Sequence, residues 1–228
     1  ERIEGTDLII LRELTGGVYF GKRGRLDDGN TAFDTMTYTR AEITRLAKKG
    51  FELAMTRSKK LCCVDKANVL ESSRLWRETV QAMEKDYPEV EVSYEFVDAV
   101  AMRLVQWPKA YDVMITENLF GDILTDEASV ISGSMGLMPS ASVGEKNKLY
   151  EPIHGSYPQA AGKDIANPLA MVLSAAMLFE DFNLTEEAAT IRAVVNKSLA
   201  EGIVTEDLSE NGKAYKTSEV GDWLVKNI

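Results

Sequence analysis

Two aspartates lie four residues apart in the segment GDILTDE, which begins at Gly121. Asp122 and Asp126 follow the apolar segment ENLFG, and the pattern is that of a helix start. A spacing of four places two side chains on one face of a helix, where two like charges repel each other. A bound divalent cation would offset this repulsion, and an ordinary solvated acidic face is the alternative.

Arg12, Tyr19 and Lys66 lie at or soon after the ends of two short apolar runs. Arg12 follows DLIIL and begins RELTGGVYFG, in which paired glycines allow a tight turn before Tyr19. Lys66 follows LCCVD, and α/β folds build sites at the carboxyl ends of strands. Such an arginine can hold a carboxylate, and a partly desolvated lysine can move protons near neutral pH. A salt-bridged arginine beside a packed ring and a solvated lysine are the alternatives.

Asp98 lies between the strand-like segment VEVSYEFV and the helical segment AVAMRLVQ, whose N-cap it is expected to form. With Asp122 and Asp126 it offers hard oxygen ligands, which suit Mg²⁺ or Mn²⁺. Capping alone would also explain Asp98, and it requires no metal.

The single histidine of the sequence, His154, lies in LYEPIHGSYPQAAGKDIANP. Gly155 and Ser156 follow it, and small residues let a ligand approach the backbone, whose N–H groups can bind phosphate. The G-x-G-x-x-G pattern of a standard dinucleotide site does not occur in the sequence. A structural turn is the alternative.

Strand-like and helix-like segments alternate along the chain, which predicts an α/β fold with a mixed or parallel sheet. Thr39 and Glu42 form a capping box that opens a helix to about Arg57. The segment 15–36 is expected to form a projecting arm or hairpin, and 133–168 a long Gly/Ser/Pro-rich connection. The pair Asn167-Pro168 is expected to start an apolar helix, with the proline at its first position. Strands are predicted at 7–11, 60–66, 90–97 and 111–116, and further helices at 72–86, 121–133, 185–200 and 217–228.

The net charge is −10, with 26 basic and 36 acidic residues, which argues against nucleic acid or an anionic membrane surface as a partner. The longest apolar stretch is too short to span a bilayer. Cys62 and Cys63 are adjacent in an apolar strand and should point to opposite faces rather than bond each other. Buried thiols indicate a reducing compartment, hence the cytoplasm. Because the sequence starts with Glu1, we expect it to begin inside a larger protein.

Taken together, these segments resemble the β-decarboxylating dehydrogenase family, which includes isopropylmalate and isocitrate dehydrogenases. RELTGGVYFG, VDKANVLE, NLFGDILTDEAS, GLMPSAS, EPIHGS and GKDIANP occur in the family's order, and the resemblance runs from about Asp7 to the C-terminus. The leucine, threonine and paired glycines of RELTGG are similar to the isopropylmalate branch. The resemblance implies an isopropylmalate dehydrogenase-like fold.

The resemblance also implies roles for the candidate residues. Arg12 would hold a substrate carboxylate, Lys66 would take the C2 hydroxyl proton, and Tyr19 would protonate the enol carbon. The ligands of Mg²⁺ or Mn²⁺ would be Asp98, Asp122 and Asp126. Members of this family are homodimers with shared active sites, so Lys66 and Asp98 would serve the neighbouring chain, and the arm 15–36 would pair with the partner.

The nicotinamide cofactor would bind through residues that match the family's adenosine and ribose contacts: Glu151, His154, Gly155, Ser156 and Asn167. Gln159 departs from the aspartate that many NAD-using members carry there. Because Gln159-Ala160 also lacks the lysine and tyrosine typical of NADP-using relatives, we expect NAD.

The resemblance divides the chain into a central dimerisation domain, 1–132, and the C-terminal half of a cofactor domain, 133–228. A family N-terminal segment, which completes the cofactor domain, is not matched. The implied reaction is oxidative decarboxylation of (2R,3S)-3-isopropylmalate with NAD in leucine biosynthesis. A related enzyme acting on tartrate, malate or homoisocitrate is one alternative, and an inactive dimerising fragment is another.

Overall fold

The computed structural model describes residues 3–209 and 212–228. The chain forms two compact units, Glu1–Ala128 and Ser129–Ile228. The division between the units lies after Ala128, four residues before the boundary expected after residue 132. The dimerisation and cofactor roles given to the two parts stay predictions.

The first unit contains a four-stranded sheet in which every neighbouring pair is parallel. When the strands of this unit are numbered in the order in which they occur along the chain, the sheet consists of the first, sixth, fourth and fifth strands, side by side in that order. The α/β class expected from the sequence is confirmed. The elements of this unit are β1 (Ile9–Arg12), β2 (Arg23–Leu26), β3 (Thr31–Asp34), α1 (Arg40–Thr56), β4 (Lys60–Asp65), α2 (Glu71–Met83), β5 (Glu91–Phe96), α3 (Val97–Gln106), β6 (Val113–Thr116) and α4 (Asn118–Ser129).

Burial on both faces explains why the central strands are almost continuously apolar. All of β6 is buried, and β4 is buried from Leu61 to Asp65, as expected for a parallel sheet covered by helices. Phe51 of α1 and Trp76 of α2 are fully buried in the core beside these strands. Cys62 and Cys63 are buried and free, as the sequence predicted.

The predicted hairpin at 15–36 is confirmed. Strands β2 and β3 pair antiparallel, with Arg23 opposite Asp34 and Leu26 opposite Thr31. A tight turn at Asp27–Gly29 connects them. Its role as an arm that contacts a partner stays a prediction.

In its described residues, the second unit packs three helices around a small apolar core and carries one antiparallel hairpin. The core includes Leu169, Val194, Val195, Val220 and Leu224. The hairpin lies inside the segment 133–168, which the sequence predicted as a loop because glycine, serine and proline interrupt its short strands. The elements are β7 (Pro139–Val143), β8 (Lys148–Pro152), α5 (Leu169–Asp181), α6 (Thr185–Ala200) and α7 (Thr217–Asn227).

Helix starts differ from the sequence-based expectation at three places, while the capping box of α1 is confirmed. The N-cap of α3 is Phe96, so Asp98 lies inside the first turn, where the helix dipole favours an acid. Helix α4 begins at Asn118, which places Asp122 one turn inside the helix. Pro168 is the N-cap of α5 rather than its first helical residue.

None of the helices formed by residues 3–209 and 212–228 has both the length and the apolar character needed to cross a bilayer.

Candidate active site

The candidate residues of the first unit lie at the carboxyl edge of its parallel sheet. Arg12, the last residue of β1, is paired in register with Thr116, the last residue of β6. Asp65 ends β4 opposite Phe96, which ends β5. Lys66 follows Asp65 directly, and Asp98 follows Phe96 by two positions. The parallel register therefore brings Arg12, Lys66, Asp98 and the start of α4 to one edge, where α/β folds place ligands.

Arg12 is held by two side chains of α4. Its Nε and Nη2 donate to Asn118 Oδ1 at 3.0 Å and 2.8 Å. Its Nη1 forms an ion pair with Asp122. Gly121 makes this approach possible, because a Cβ there would lie 2.7 Å from Arg12 Cγ. The arginine of the RELTGG motif is therefore fixed in position by the helix that carries the paired aspartates.

Asn118 also connects this helix to the glycine turn that precedes Tyr19. Its Nδ2 donates to the Gly16 carbonyl at 3.0 Å, and its backbone N–H donates to Tyr38 Oη at 2.8 Å. Gly17 has a φ of +77°, and a Cβ there would lie 2.2 Å from Tyr38 Oη. A side chain at Gly17 would displace the turn, so glycine is required here.

Tyr19 lies against the Arg12–Asp122 pair. The guanidinium carbon of Arg12 is 5.4 Å from the centroid of the Tyr19 ring. Burial raises the pKa of Tyr19 above its ordinary value, and the hydrogen bond to Asp122 raises it further, while Arg12 acts in the opposite direction. The Tyr19 hydroxyl therefore keeps its proton at neutral pH and can donate it.

Lys66 and Asp98 form a second charged pair at the same edge of the sheet. Lys66 Nζ contacts Asp98 Oδ1 and lies 5.8 Å from the centroid of the Phe96 ring. The hydrogen bond from Lys66 is the main reason that the pKa of Asp98 is lowered. Asp98 is therefore a carboxylate at neutral pH, the form that binds a cation.

The three candidate aspartates do not complete a metal site within one chain. Among residues 3–209 and 212–228, no three or more histidine, cysteine or acidic side chains are grouped closely enough to hold a metal ion. Asp122 is engaged by Arg12, and Asp98 by Lys66. The expectation that Asp98 acts with Asp122 and Asp126 of a second chain is compatible with this arrangement and stays a prediction.

The histidine motif forms an open turn in the second unit. His154, with Nδ1 protonated, donates to the Gly155 carbonyl at 3.0 Å. His154 is half-buried, whereas Gly155 and Ser156 are exposed. A Cβ at Gly155 would meet no atom within 4 Å, so the backbone is open to a ligand at this position.

Asn167 has a more constrained environment than the histidine turn. Its Nδ2 donates to Asp207 Oδ2 at 2.9 Å, and its Oδ1 accepts from the backbone N–H of Leu169 at 2.9 Å. A Cβ at Gly136 would lie 2.7 Å from Asn167. The side chain of Asn167 therefore binds the first backbone N–H of α5 and is held in one orientation.

Glu151 and Gln159 are the other candidate cofactor residues. Glu151 lies in β8 opposite Ser140, and Gln159 lies in a short 3₁₀ turn at Pro158–Ala160. Both are exposed. Their side chains are therefore accessible to a ligand, and their role in binding a cofactor stays a prediction.

Residues 1–224 match the sequence model of a family described as isocitrate/isopropylmalate dehydrogenase. The chain belongs to this family. The 3-isopropylmalate dehydrogenase of Bacteroides fragilis strain YCH46 is 57% identical over 229 residues, which are 100% of this chain and 64% of that protein. The 3-isopropylmalate dehydrogenase of Desulfitobacterium hafniense is 53% identical over 98% of the chain and 64% of its own length. The chain therefore spans about 64% of the length of these curated relatives.

Two solved structures have the same fold as this family member. A crystal structure of isocitrate dehydrogenase from Methylococcus capsulatus matches with a TM-score of 0.92 at 34% identity, covering 96% of this chain and 66% of that one. The TT0538 protein of Thermus thermophilus matches with a TM-score of 0.94 at 29% identity, covering 100% of this chain and 47% of that one.

Several residues that organise this family member's site were missed by the sequence analysis. Asn118 lies in the largely apolar segment ENLFG, yet its side chain holds Arg12. Glu117 is fully buried beside it. Asp207 holds Asn167 from a distance of 40 residues along the chain. The sequence does contain an indication for Glu117 and Asn118, because these two polar residues directly follow the buried strand VMIT.

Proposed function

We propose that this chain carries the catalytic centre of an NAD-dependent 3-isopropylmalate dehydrogenase. The reaction converts (2R,3S)-3-isopropylmalate to 2-oxo-4-methylpentanoate in leucine biosynthesis. The active form is a homodimer in the cytoplasm, with sites shared between two chains. Relatives at 53–57% identity carry the name 3-isopropylmalate dehydrogenase, which supports this choice within the family.

One observation carries the proposal: Arg12, Tyr19 and Asp122 are in contact at the carboxyl edge of the sheet. One strand, one turn and one helix thus place three groups together. They are a cationic side chain that can bind substrate (Arg12), a proton donor (Tyr19) and a hard oxygen ligand (Asp122). Arg12 can bind a carboxylate and Tyr19 can exchange a proton, so the group suits a substrate with both carboxylate and hydroxyl functions.

The donor set fits a hard divalent cation. Asp98, Asp122 and Asp126 offer only carboxylate oxygens, which Mg²⁺ and Mn²⁺ prefer. A carboxylate has two oxygens with about four lone-pair sites, so Asp122 can accept from Arg12 and still bind a cation. The ion would lower the pKa of the C2 hydroxyl and stabilise developing negative charge on its oxygen.

The side chains then divide the proton transfers between them. Arg12 binds one substrate carboxylate with its remaining N–H donors. Lys66, as the neutral amine, would accept the proton of the C2 hydroxyl, and a bound NAD would supply the acceptor for the hydride of C2. When the carboxylate on C3 leaves as CO₂, the electrons of the broken bond form an enolate across C2 and C3, and Tyr19 donates its proton to C3 to give the keto acid. The raised pKa of Tyr19 keeps that proton available until this step.

The second unit offers the cofactor contacts. His154, Gly155 and Ser156 present an open turn, and Asn167 is held in one orientation by Asp207 and the start of α5. Gln159 is neutral, so no positive charge at this position favours the 2′-phosphate of NADP. NAD is therefore the proposed cofactor.

The test is turnover by the full-length protein encoded with this chain. Isopropylmalate, isocitrate, homoisocitrate, tartrate and malate are each supplied with NAD or NADP and with Mg²⁺ or Mn²⁺, and reduced nicotinamide is followed by absorbance. The highest kcat/KM is expected for isopropylmalate with NAD, and a chelator should abolish activity. A higher kcat/KM for another of these acids would replace isopropylmalate as the substrate.

A Tyr19→Phe variant tests the assigned proton donor. It keeps the ring over Arg12 but loses the hydroxyl, so overall turnover should fall by about 10²–10⁴-fold. Tyr87→Phe is the control, because Tyr87 is partly buried against the core and stacks on Phe51 at 4.6 Å between ring centroids. Wild-type turnover by Tyr19→Phe would remove the tyrosine from the mechanism.

A further inference from the structure

We propose that Arg77 is a positioning residue that fixes both Lys66 and Asp98 by holding together the strand ends that carry them. The inference rests on the proposed function, in which Lys66 and Asp98 act on substrate and cation. Arg77 itself lies on α2 and is not assigned any contact with substrate.

The first contact of Arg77 fixes the backbone around Lys66. Asp65 is fully buried at the end of β4, and Arg77 donates to it twice, from Nε to Oδ2 at 2.8 Å and from Nη2 to Oδ1 at 3.0 Å. The backbone N–H of Ala67 donates to the same carboxylate at 2.9 Å. The Asp65 side chain thus joins the residues on either side of Lys66, and Arg77 fixes that side chain in the plane of its guanidinium group.

The second contact of Arg77 reaches the strand end that leads to Asp98. Its guanidinium carbon lies 5.2 Å from the Phe96 ring centroid and 5.4 Å from that of Tyr94, the two residues being on one face of β5. Lys66 Nζ lies 5.8 Å from the same Phe96 ring. All three separations are within the range of cation–π attraction.

Phe96 links this contact to Asp98. It is paired with Asp65 in the parallel register and is the N-cap of α3, whose first turn contains Asp98. One guanidinium group therefore contacts the last side chains of both β4 and β5. Moving Arg77 would release the two backbones that set the separation of Lys66 and Asp98.

A purely structural role is the competing explanation, and the sheet offers a control for it. Arg57 and Asp112 form an ion pair of 2.5 Å at the opposite, amino-terminal edge of the same sheet. Arg57 is as protected from solvent as Arg77, with 22% and 25% of the respective side chains exposed. Loss of either pair should therefore lower stability, whereas only loss of the Arg77 pair should disturb Lys66 and Asp98.

The experiment compares Arg77→Lys and Arg77→Met with Arg57→Lys and Arg57→Met in the full-length protein. Both Arg77 variants should lose about 10²-fold in kcat at saturating substrate, since small displacements of reacting groups have effects of this size. Lysine should not rescue, because it keeps the charge but lacks the planar two-pronged donor. KM for NAD should stay at the wild-type value, and the Arg57 variants should lose thermal stability but keep kcat.

Crystal structures of Arg77→Met and Arg57→Met provide a readout that does not depend on turnover. The Lys66–Asp98 pair should be displaced in the first and retained in the second. An undisplaced pair in Arg77→Met, or equal kcat for Arg77→Lys and Arg57→Lys, would overturn the inference. If the wild-type protein oxidised none of the acids tested, the proposed function would fail, and the crystal structures would still decide whether Arg77 fixes the pair.

Discussion

The buried carboxyl group of Glu117 should make the stability of this protein fall between weakly acidic and weakly alkaline pH. Glu117 follows β6 and is fully buried. Ser73 donates to its Oε1, and Oε2 has no hydrogen-bond partner within the described part of the chain. Burial raises the pKa of Glu117 to about 7, with a smaller contribution from the nearby Asp65, while the Ser73 hydrogen bond acts in the opposite direction. Replacement by glutamine removes the titration and keeps the shape.

The direction of this pH dependence follows from which state of the chain, folded or unfolded, holds the proton. Below a pH of about 4.5 the group is protonated in both the folded and the unfolded chain. Between 4.5 and about 7 the unfolded chain releases the proton while the folded chain retains it, so rising pH favours unfolding. Each unit of pKa difference is worth about 1.4 kcal/mol, so the wild-type protein should lose about 3 kcal/mol over this interval relative to Glu117→Gln.

The assay is urea unfolding of wild type and Glu117→Gln at matched protein concentrations between pH 5 and pH 8.5. The informative quantity is the difference in free energy of unfolding between the two proteins at each pH, because the cost of placing an amide in the pocket then cancels. That difference should move by about 2–3 kcal/mol in favour of the variant as pH rises.

Glu89→Gln is the control for this measurement. The hydrogen bond from Lys59 lowers the pKa of Glu89, so its contribution to stability is lost only in more acidic solution. Its difference from wild type should therefore be constant from pH 5 to pH 8.5. A constant difference for Glu117→Gln as well would show that Glu117 is not a protonated, buried acid, and would refute the reasoning.

Three further predictions concern the proposed function. Asp122→Asn should raise the Mg²⁺ or Mn²⁺ concentration needed for half-maximal activity of the full-length protein while leaving its dimer intact, as measured by metal titration and light scattering; an unchanged metal requirement would return Asp122 to the role of a partner for Arg12 alone. Gln159→Asp should increase the ratio of kcat/KM for NAD to that for NADP, because a carboxylate repels the 2′-phosphate; an unaltered ratio would contradict the assignment of Gln159 to the ribose. The 228-residue chain alone should dimerise but produce no reduced nicotinamide with isopropylmalate, NAD and Mg²⁺, since it corresponds to about 64% of the length of its relatives; a monomer, or measurable turnover, would count against this expectation.

The helices and strands were predictable where local pattern and burial agree. The run LCCVD becomes a buried strand because apolar residues on both faces suit a covered parallel sheet. The capping box at Thr39 and Glu42 marks the start of α1 because both of its hydrogen bonds are local. The start of α4 was misplaced because its first backbone N–H is satisfied by Tyr38, a residue 80 positions away, which no local pattern reveals.

The contacts within the candidate site are less accessible to sequence reasoning than the choice of candidate residues. Arg12, Tyr19 and Asp122 could each be selected by type and motif, but the fact that Asn118 holds Arg12 depends on a contact across 106 positions of the chain. The same is true of Arg77, whose importance follows from packing against Asp65 and Phe96 rather than from its spacing. Residue types indicate chemistry, whereas the supporting contacts are tertiary.

The repulsion expected between Asp122 and Asp126 is reduced within a single chain, because Arg12 lies against Asp122. Asp98 is likewise compensated by Lys66. Charge balance in the folded chain therefore does not require a divalent cation at either aspartate. A cation that joined both pairs would add positive charge beside Arg12 and Lys66, and a substrate with two carboxylates would supply the negative charge that balances it. On the proposed function, Arg12 thus balances the charge of Asp122 before binding and that of a substrate carboxylate afterwards.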